Sequence, residues 1–494
     1  MYGEEKSDSL IVAANLANNP QGAESVERRS GAKGNAEQPH MRRTQSRESM
    51  SQRLSRVREA AKQRKKERFT ALFHLLTAEA LENAFLSLSR KAAAGVDGVR
   101  WKDYAENLKV NIADLHRRLH QGSYRAQPGR RHYIPKADGK QRPLGIASLE
   151  DKIVQYALVK ILNAVYENDF MGFSYGFRPG RSQHNALDAL ATGLVRTNVN
   201  WVLDADISQF FDRVSHEWLI RFTEHRIGDR RVIRLIRKWL TAGTSEEGQW
   251  RATEEGTPQG AVISPLLANI YLHYVFDLWA HQWRRRHATG NVVMVRYADD
   301  IVIGFDKRID AQCFRIAMQR RLKEFGLTVH PKKTRLMEFG RFAAENRASR
   351  GKGKPETFNF LGFTHISGKD RSGRFMLIRK TRRDRMTATL KAIKDGLRKR
   401  WHYSIPEQGK WLRRVVQGYL NYHSVPGNYP MMRKFRIYVT DLWRRALRRR
   451  SQQDDTTWTK ANRLAAVWLP KVRVLHPWPV ERFTARHPRQ EPGA

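Results

Sequence analysis

The chain is poor in cysteine, and this scarcity excludes several kinds of fold and site. Cys313 is the single cysteine among 494 residues, so no intramolecular disulfide can form, and a reducing compartment is indicated. The same scarcity excludes zinc modules built on paired cysteines. A Gly-x-x-x-x-Gly-Lys-Ser/Thr loop is also missing, which argues against an ATP-driven motor.

Long apolar runs are missing as well. No stretch of the sequence approaches the roughly 20 apolar residues that a membrane helix needs, and the N-terminus lacks a secretory pattern. With 40% hydrophobic residues the chain can still bury the cores of several domains. These features predict a soluble, intracellular protein.

Acidic residues are heavily outnumbered. The chain has 49 Asp and Glu against 91 Lys and Arg, a formal net charge of +42. Such an excess repels itself in a compact state unless a polyanion binds. Because the basic residues are spread along the whole chain, we expect an extended nucleic-acid surface with strongly salt-dependent affinity.

Two acidic segments interrupt this basic background. Asp299 and Asp300 lie between two short apolar stretches, the pattern of a β-hairpin with acids at its turn. Upstream, an apolar strand leads into Asp206. An Asp-Asp dipeptide is expected on the order of once by chance in a chain of this length, and most such pairs are solvated turn residues. A strand-end aspartate combined with an acidic hairpin, however, is what a two-metal phosphoryl transfer site requires.

The remaining pattern is a mixture of helices and strands. Hydrophobic periodicity predicts helices over 69–89, 149–170, 216–226, 230–241, 264–285 and 311–325, and strands over 133–136, 142–146, 201–206, 292–296 and 301–305. This mixture predicts an α+β fold. Residues 1–50 are polar and are expected to be disordered. Residues 51–68 are strongly basic, and form either a solvated helix or an arm that contacts RNA.

Several segments, in chain order, match the blocks of one known family. They are Ala94–Gly98 (AGVDG), Tyr175–Ser182 (YGFRPGRS), Gly256–Gly260 (GTPQG), Tyr297–Asp300 (YADD) and Phe358–Phe363 (FNFLGF). With them, the chain from about Phe69 onward resembles the group II intron-encoded reverse transcriptases, or maturases. Because paired cysteines are absent, it resembles the lineages that lack the C-terminal endonuclease.

This resemblance implies a right-hand polymerase fold with fingers, a palm of mixed sheet plus helices, and an α-helical thumb, or maturase X, domain. The implied division places a basic helix and the fingers at 51–200, the palm with its acids at 201–366 and the thumb at 380–455. A basic nucleic-acid-binding tail would cover 456–494, and the polar extension 1–50 has no counterpart in the family.

The resemblance also implies the chemistry of the acids. Asp206, Asp299 and Asp300 would be catalytic and, with the backbone carbonyl of Ile207, would hold two Mg²⁺ ions about 3.5–4 Å apart. One ion would activate the primer 3′-hydroxyl and the other would bridge the nucleotide triphosphate. Carboxylate oxygens suit hard Mg²⁺.

A second set of side chains is expected to bind the incoming nucleotide. Lys136 and Arg142 flank the fingers hairpin, where a point charge and a planar fork suit phosphate oxygens, although each also fits a general RNA contact. Phe211 would pack under the sugar and exclude ribonucleotides, with an ordinary core phenylalanine as the alternative. Gln259 would position the nucleotide–template pair through its amide, and its glycine neighbours permit close backbone approach.

Template and intron RNA are expected to contact basic residues elsewhere. Arg178 and Arg181 would hold template or scaffold the fingers, and Lys333 matches a lysine position of the family near the nucleic acid. Exposed thumb arginines interleaved with aromatic residues suit folded RNA, with a plain helical bundle as the alternative. The thumb candidates are Arg413, Arg414 and Tyr419, interleaved with Trp411, Tyr422 and Trp443.

Together these features predict an RNA-directed DNA polymerase encoded by a group II intron, which also binds the intron RNA to assist splicing and mobility. The expected partners are intron RNA, an RNA template, a DNA primer or target, and dNTPs, without a membrane; a homodimer stays open. The resemblance implies a bacterial cytoplasmic protein that joins the nucleoid on binding target DNA. Two alternatives remain: a reverse transcriptase of a retron or host-adopted defence system, and a maturase that binds RNA without polymerising.

Overall fold

The computed structural model describes residues 49–135, 141–246, 248–450 and 456–486. The polar extension predicted at 1–50 therefore lies almost entirely outside the described residues. Within the described ranges, no helix has the length and apolar character needed to cross a bilayer. Helices and strands alternate along the chain, and the predicted α+β class is confirmed.

Helices are the main elements of the described residues. They are α1 (Met50–Gln63), α2 (Ala78–Ser87), α3 (Trp101–Glu106), α4 (Leu108–His120), α5 (Leu149–Tyr166), α6 (Gln183–Arg196), α7 (His216–Glu224), α8 (Arg230–Thr241), α9 (Ser264–Leu272), α10 (Leu278–Arg286), α11 (Arg308–Glu324), α12 (Ala343–Ala348), α13 (Arg383–Arg398), α14 (Ile405–His423), α15 (Tyr429–Arg448), α16 (Trp458–Trp468) and α17 (Pro479–Arg486).

The strands are short by comparison. They are β1 (Gly129–Pro135), β2 (Gln141–Ile146), β3 (Trp201–Asp206), β4 (Thr244–Glu246), β5 (Gln249–Arg251), β6 (Val292–Tyr297), β7 (Asp300–Phe305), β8 (Arg335–Glu338), β9 (Phe358–Phe360), β10 (Phe363–Lys369) and β11 (Phe375–Thr381). In the described residues they form three sheets, in the orders β2-β1-β4-β5, β6-β7-β3-β8 and β11-β10-β9.

The helix predicted over 69–89 is shorter than expected. A 3₁₀ turn covers Phe73–Leu75, and α2 begins after Thr77, whose hydroxyl accepts the N–H of Ala80 at 3.1 Å. A threonine in this position caps a helix start by satisfying a free backbone donor. The helical spacing continues across this break because Phe73 and Leu81 both face the same core.

The helix predicted over 264–285 is interrupted. A π-helical turn at His273–Asp277 separates α9 from α10. Such turns insert one extra residue into a helix and commonly occur at functional sites. Here Asp277, the last residue of the turn, is fully buried.

The central sheet positions the acids. Its strands pair antiparallel, with β3 between β7 and β8. Strands β3, β6 and β7 are rich in fully buried Val, Ile and Leu, since helices α6 and α11 pack against them. A rigid, buried sheet of this kind holds residues at its strand ends in fixed positions.

The hydrophobic cores divide the chain differently from the predicted boundary at residue 200. One continuous core contains side chains from Ala61 to Leu377, together with Val425 and Phe483, so the predicted fingers and palm share it. A second core joins helices α13 to α16, from Met386 to Leu469. The second core runs from the region predicted as thumb at 380–455 into the predicted tail, and the division into domains stays a prediction.

The predicted C-terminal tail is not a separate tail over its described part. Helix α16 packs into the second core through Ala465, and α17 packs on α6. Arg482 donates to both carboxylate oxygens of Asp188 on α6, and Phe483 is buried in the first core. Apolar residues spaced among the arginines therefore dock this segment back onto the body of the protein.

Candidate active site

The three predicted aspartates come together at one end of the central sheet. Asp206, the last residue of β3, is in register with Asp300, the first residue of β7. Directly opposed residues of antiparallel strands project from the same face, so their carboxylates are neighbours. Asp299 follows Ala298 in the two-residue turn between β6 and β7. Ala298 has a φ of 56°, the left-handed conformation that such hairpin turns demand.

A further acid, Asp204, escaped the sequence analysis. It precedes Asp206 by two positions on β3 and therefore lies on the same face of the sheet. Arg335 of β8 is directly opposite it. The alternation Asp204-Ala205-Asp206 in an otherwise apolar strand was the signal that could have revealed it.

These carboxylates repel one another. Removal from water, reinforced by the negative charges of Asp299, Asp206 and Asp204, raises the pKa of Asp300 to about 7. Removal from water is also the main cause that raises the pKa of Asp204 to about 7. Burial raises the pKa of Asp299 too, and Asp206 adds to the rise. The site therefore has more negative charge than its surroundings neutralise.

Lys333 partly compensates this charge. Its Nζ lies 2.6 Å from Oδ2 of Asp206. The turn that bears it is tied to β3, because the N–H of His330 donates to the carbonyl of Asp206 at 2.7 Å and the N–H of Lys333 donates to His330 at 3.2 Å. Lys333, expected near the nucleic acid, thus lies directly on a predicted metal ligand.

The donors fit a hard divalent cation. Carboxylate oxygens are the ligands that Mg²⁺ prefers, and a cation would relieve the repulsion that raises these pKa values. Within the part of the chain that the structure describes, no three His, Cys, Asp or Glu side chains converge as a preformed metal cluster. Ile207 is buried and its backbone bridges to Val329. Metal ligation by the acids and by the Ile207 carbonyl stays a prediction.

A pocket lies beside the 3₁₀ turn Phe210–Asp212, which follows Asp206 in the chain. Its volume is about 390 Å³, and its lining includes Phe211, Asp212, Pro258 and Gln259. Phe211 is half-buried with its ring against the pocket, whereas Phe210 is in the core. Phe211 also packs against that core from its half-buried position, so its sugar contact stays a prediction beside the packing alternative.

The loop at 253–260 forms one wall of this pocket. The amide of Gln259 donates to Oδ1 of Asp212 at 2.8 Å, and its carbonyl accepts the N–H of Gly145 at 2.7 Å. A Cβ at Gly260, where φ is 106°, would lie 3.0 Å from the carbonyl oxygen of Gly145. Glycine is therefore needed for the loop to contact β2 this closely.

Of the two residues predicted to contact phosphate, Arg142 lies in the described part of the chain. Arg142, on β2, is exposed and lies near enough to lower the pKa of Asp299, against the larger effect of burial. Its guanidinium therefore belongs to the electrostatic environment of the acids. Lys136 lies outside the described residues.

Arg178 and Arg181 both donate to backbone carbonyls of the segment that precedes them. Arg178 has a side chain only 2% exposed, in an ion pair of 2.9 Å with Glu167, and it donates to the carbonyls of Met171 and Ser174 at 2.8 Å. Arg181 donates to the carbonyls of Gly172 and Ser174. For Arg178 the expected nucleic-acid contact is corrected in favour of the scaffolding alternative, because its buried guanidinium is bonded to Glu167 and to backbone carbonyls. Arg181 bonds to the same segment through Nη1, and its contact with template stays a prediction.

The thumb candidates separate into two groups. Arg413 and Arg414 are exposed on α14. Tyr419 is buried and stacks on Phe435 with ring centroids 3.7 Å apart, and Trp443 is buried with its Nε1 donating to Gln408 at 2.9 Å. Base stacking by these aromatic residues is corrected, because the apolar face of each helix packs into the bundle and leaves the arginines outside.

Comparison with known proteins identifies the family of the segment that contains this site. Residues 134–365 match the family described as reverse transcriptase (RNA-dependent DNA polymerase). This segment is a reverse transcriptase domain. It contains the acids, the pocket and the GTPQG loop.

Some of the proteins to which this chain is similar bear the names of intron-encoded proteins. The group II intron-encoded protein LtrA of Lactococcus lactis subsp. cremoris is 38% identical over 44% of this chain and 37% of its own length. Protein YkfC of Escherichia coli is 43% identical over 41% of this chain and 54% of its own. The putative COX1/OXI3 intron 1 protein of Saccharomyces cerevisiae is 26% identical over 66% of this chain and 46% of its own.

These comparisons confirm the resemblance to group II intron reverse transcriptases. The aligned part of this chain spans between about a third and just over half of these relatives. The reverse transcriptase family is shown for the domain, and the activity and partners of the whole protein are proposals.

Proposed function

We propose that this chain is an RNA-directed DNA polymerase encoded by a group II intron, and that it binds the intron RNA to assist splicing and mobility. The observation that supports this most directly is the register of β3 on β7, which sets Asp206 opposite Asp300 with Asp299 at the adjoining turn. Within a reverse transcriptase domain, this is the arrangement that metal-dependent nucleotide addition needs.

In this proposal Asp206, Asp299, Asp300 and the Ile207 carbonyl hold Mg²⁺. Bound there, the ions would activate the primer 3′-hydroxyl and neutralise the triphosphate. Lys333 orients the Asp206 carboxylate by its 2.6 Å contact.

The neighbouring pocket binds the incoming dNTP. The ring of Phe211 supports the sugar and leaves no room for a 2′-hydroxyl. Gln259, held by Asp212, positions the base pair. Arg142 and Lys136 contact the triphosphate, since cationic donors suit phosphate oxygens.

RNA binding extends beyond the catalytic domain. The exposed Arg413 and Arg414 lie on the outer face of the helical thumb, where they contact phosphates of folded RNA. Relatives bear names of intron-encoded proteins, which supports intron RNA as that partner. Nucleoid association follows from target-DNA binding, and dimerisation stays a prediction.

Primer extension tests the polymerase. Purified protein with Mg²⁺, dNTPs and an RNA template annealed to a DNA primer should extend the primer, and Asp299→Ala should abolish extension. Asp370→Asn is a matched control, because Asp370 also occupies a hairpin turn, where it accepts the N–H groups of Ser372 and Arg374 at 2.8 and 2.9 Å. It should extend normally.

Two outcomes would contradict the proposal. Extension that survives Asp299→Ala would remove the acids from the chemistry. A wild-type protein that extends no primer, yet promotes splicing of its intron RNA, would show a maturase that binds RNA without polymerising.

A further inference from the structure

An ion pair lies fully buried beneath the catalytic turn. Arg296, on β6, and Asp277, at the end of the π-helical turn, both have side chains 0% exposed. Nε of Arg296 donates to Oδ1 of Asp277 at 2.7 Å, and Nη2 donates to Oδ2 at 2.5 Å. Burying two charges usually costs more than their attraction returns, so such a pair is weak evidence for a role in stability.

The guanidinium uses every donor it has. Besides the two bonds to Asp277, Nη2 donates to Oγ of Ser174 at 2.7 Å. Nη1 donates to Oδ1 of Asn269 at 3.1 Å and to the carbonyl of Ala298 at 3.0 Å. An arginine has five N–H donors in a rigid plane, and here each has an acceptor.

One of these acceptors belongs to the catalytic turn itself. Ala298 immediately precedes Asp299 and adopts the left-handed conformation. The turn is also confined from the other side, because a Cβ on Gly176 would overlap the backbone nitrogen of Ala298. Asn269 holds Gly176 in place through an Nδ2 bond of 2.7 Å to its carbonyl.

The network thus ties the turn to separate parts of the fold. Asn269 comes from α9 and Asp277 from the π turn, while Ser174 forms a parallel bridge with Arg296. Because the rigid guanidinium of Arg296 is bonded to all of these groups, the Ala298 carbonyl is restricted to one position. The turn residue that follows it is therefore fixed before any cation binds.

We propose that Arg296 is a positioning residue, which sets the Asp299 carboxylate in its metal-binding position through the Ala298 carbonyl, with Asp277 as its buried counter-charge. This inference rests on the proposed polymerase function. It assigns the buried pair to the geometry of the site and not to the stability of the fold.

The test is Arg296→Lys, which keeps the charge and can still pair with Asp277, but lacks the planar fork that reaches Ala298. Misplacement of a reacting group by about 1 Å can cost on the order of 100-fold in rate. We therefore expect kcat for nucleotide addition to fall by about that factor, and the Mg²⁺ concentration for half-maximal rate to rise. The Kd for primer–template and the melting temperature should change little.

Arg226→Lys is the matched control. Arg226 is also buried, pairs with Asp169 at 2.7 Å and donates to the carbonyls of Arg64, Glu67 and Ala61, but it does not contact the turn. Its variant should retain the wild-type kcat and Mg²⁺ dependence. If the replacement of any buried arginine lowered kcat, both variants would lose activity to a similar extent. That result would overturn the assignment.

If Arg296→Lys does not fold, Ser174→Ala decides, because it removes one acceptor of the same guanidinium and leaves the ion pair intact. We expect a smaller fall in kcat with the same rise in required Mg²⁺; wild-type values would overturn the inference. Failure of the polymerase proposal looks different, since the wild-type protein would then extend no primer and Arg296 would have no reaction to position.

Discussion

Removal from water and mutual repulsion of the acids should make a substitution at Asp300 stabilising. Asp300 has a pKa of about 7 in the folded chain, against an ordinary value of 3.8, because of removal from water and the charges of Asp299, Asp206 and Asp204. A carboxyl group whose pKa is raised by folding binds its proton more tightly in the native state. The folded state is therefore penalised as pH rises from about 4 to about 7, and the full penalty applies above that range.

The size of the penalty follows from the shift. A rise of roughly 3 pKa units corresponds to a ceiling of ~4 kcal/mol. Asp300 is exposed at the end of β7, so solvent screening reduces the expected value to about 1–2 kcal/mol. Asp300→Asn removes the charge. The metal-free variant should gain that much free energy of unfolding at pH 8 and almost nothing at pH 4.

Urea unfolding in the presence of EDTA, at both pH values, measures the difference. Added Mg²⁺ should stabilise the wild-type protein at pH 8 more than the variant, because ligand binding to the native state removes the penalty. Asp370→Asn is the opposite control. Partial desolvation tends to raise the pKa of Asp370, but hydrogen bonds from the N–H groups of Arg374 and Ser372 lower this pKa overall. An Asp300→Asn variant that is equally destabilised at both pH values would refute the reasoning.

Three further outcomes are expected. Phe211→Val should enlarge the pocket under the sugar and raise rNTP incorporation relative to dNTP, measured as a ratio of kcat/KM values; an unchanged ratio would return Phe211 to a packing role. Arg178→Met should lower the free energy of unfolding by about 3–5 kcal/mol, because it leaves the Glu167 carboxylate buried without its partner, and a variant as stable as wild type in urea would contradict this. Joint replacement of Arg413 and Arg414 by Ala should weaken RNA binding and reduce its salt dependence by about one to two units of slope, whereas equal slopes by filter binding would place the RNA elsewhere.

The local sequence pattern was sufficient to predict the acidic hairpin. Apolar residues on both sides of Asp299 and Asp300 predicted strands, and a short turn between them is the remaining possibility at that spacing. The same holds for β1 and β2, and for the strand that ends at Asp206. Short elements were missed: β4 and β5 have three residues each, too few for periodicity to be seen.

The sequence pattern alone gave the wrong direction for two side chains. Arg178 and Tyr419 were expected at the nucleic acid because arginine and aromatic residues suit that contact. Both instead face inward, since Glu167 and backbone carbonyls surround the first and Phe435 stacks on the second. Which face of an element is covered depends on what packs against it.

The amino-acid sequence was enough to establish a basic, nucleic-acid-binding α+β protein with an acidic hairpin, because charge, periodicity and turn chemistry are local properties of the chain. Only the folded molecule brings Asp204 and Lys333 to the acids and places Arg296 against Asp277 beneath the turn. Those contacts join residues far apart in the chain, and their partners are chosen by strand register and by a π turn that no local periodicity encodes.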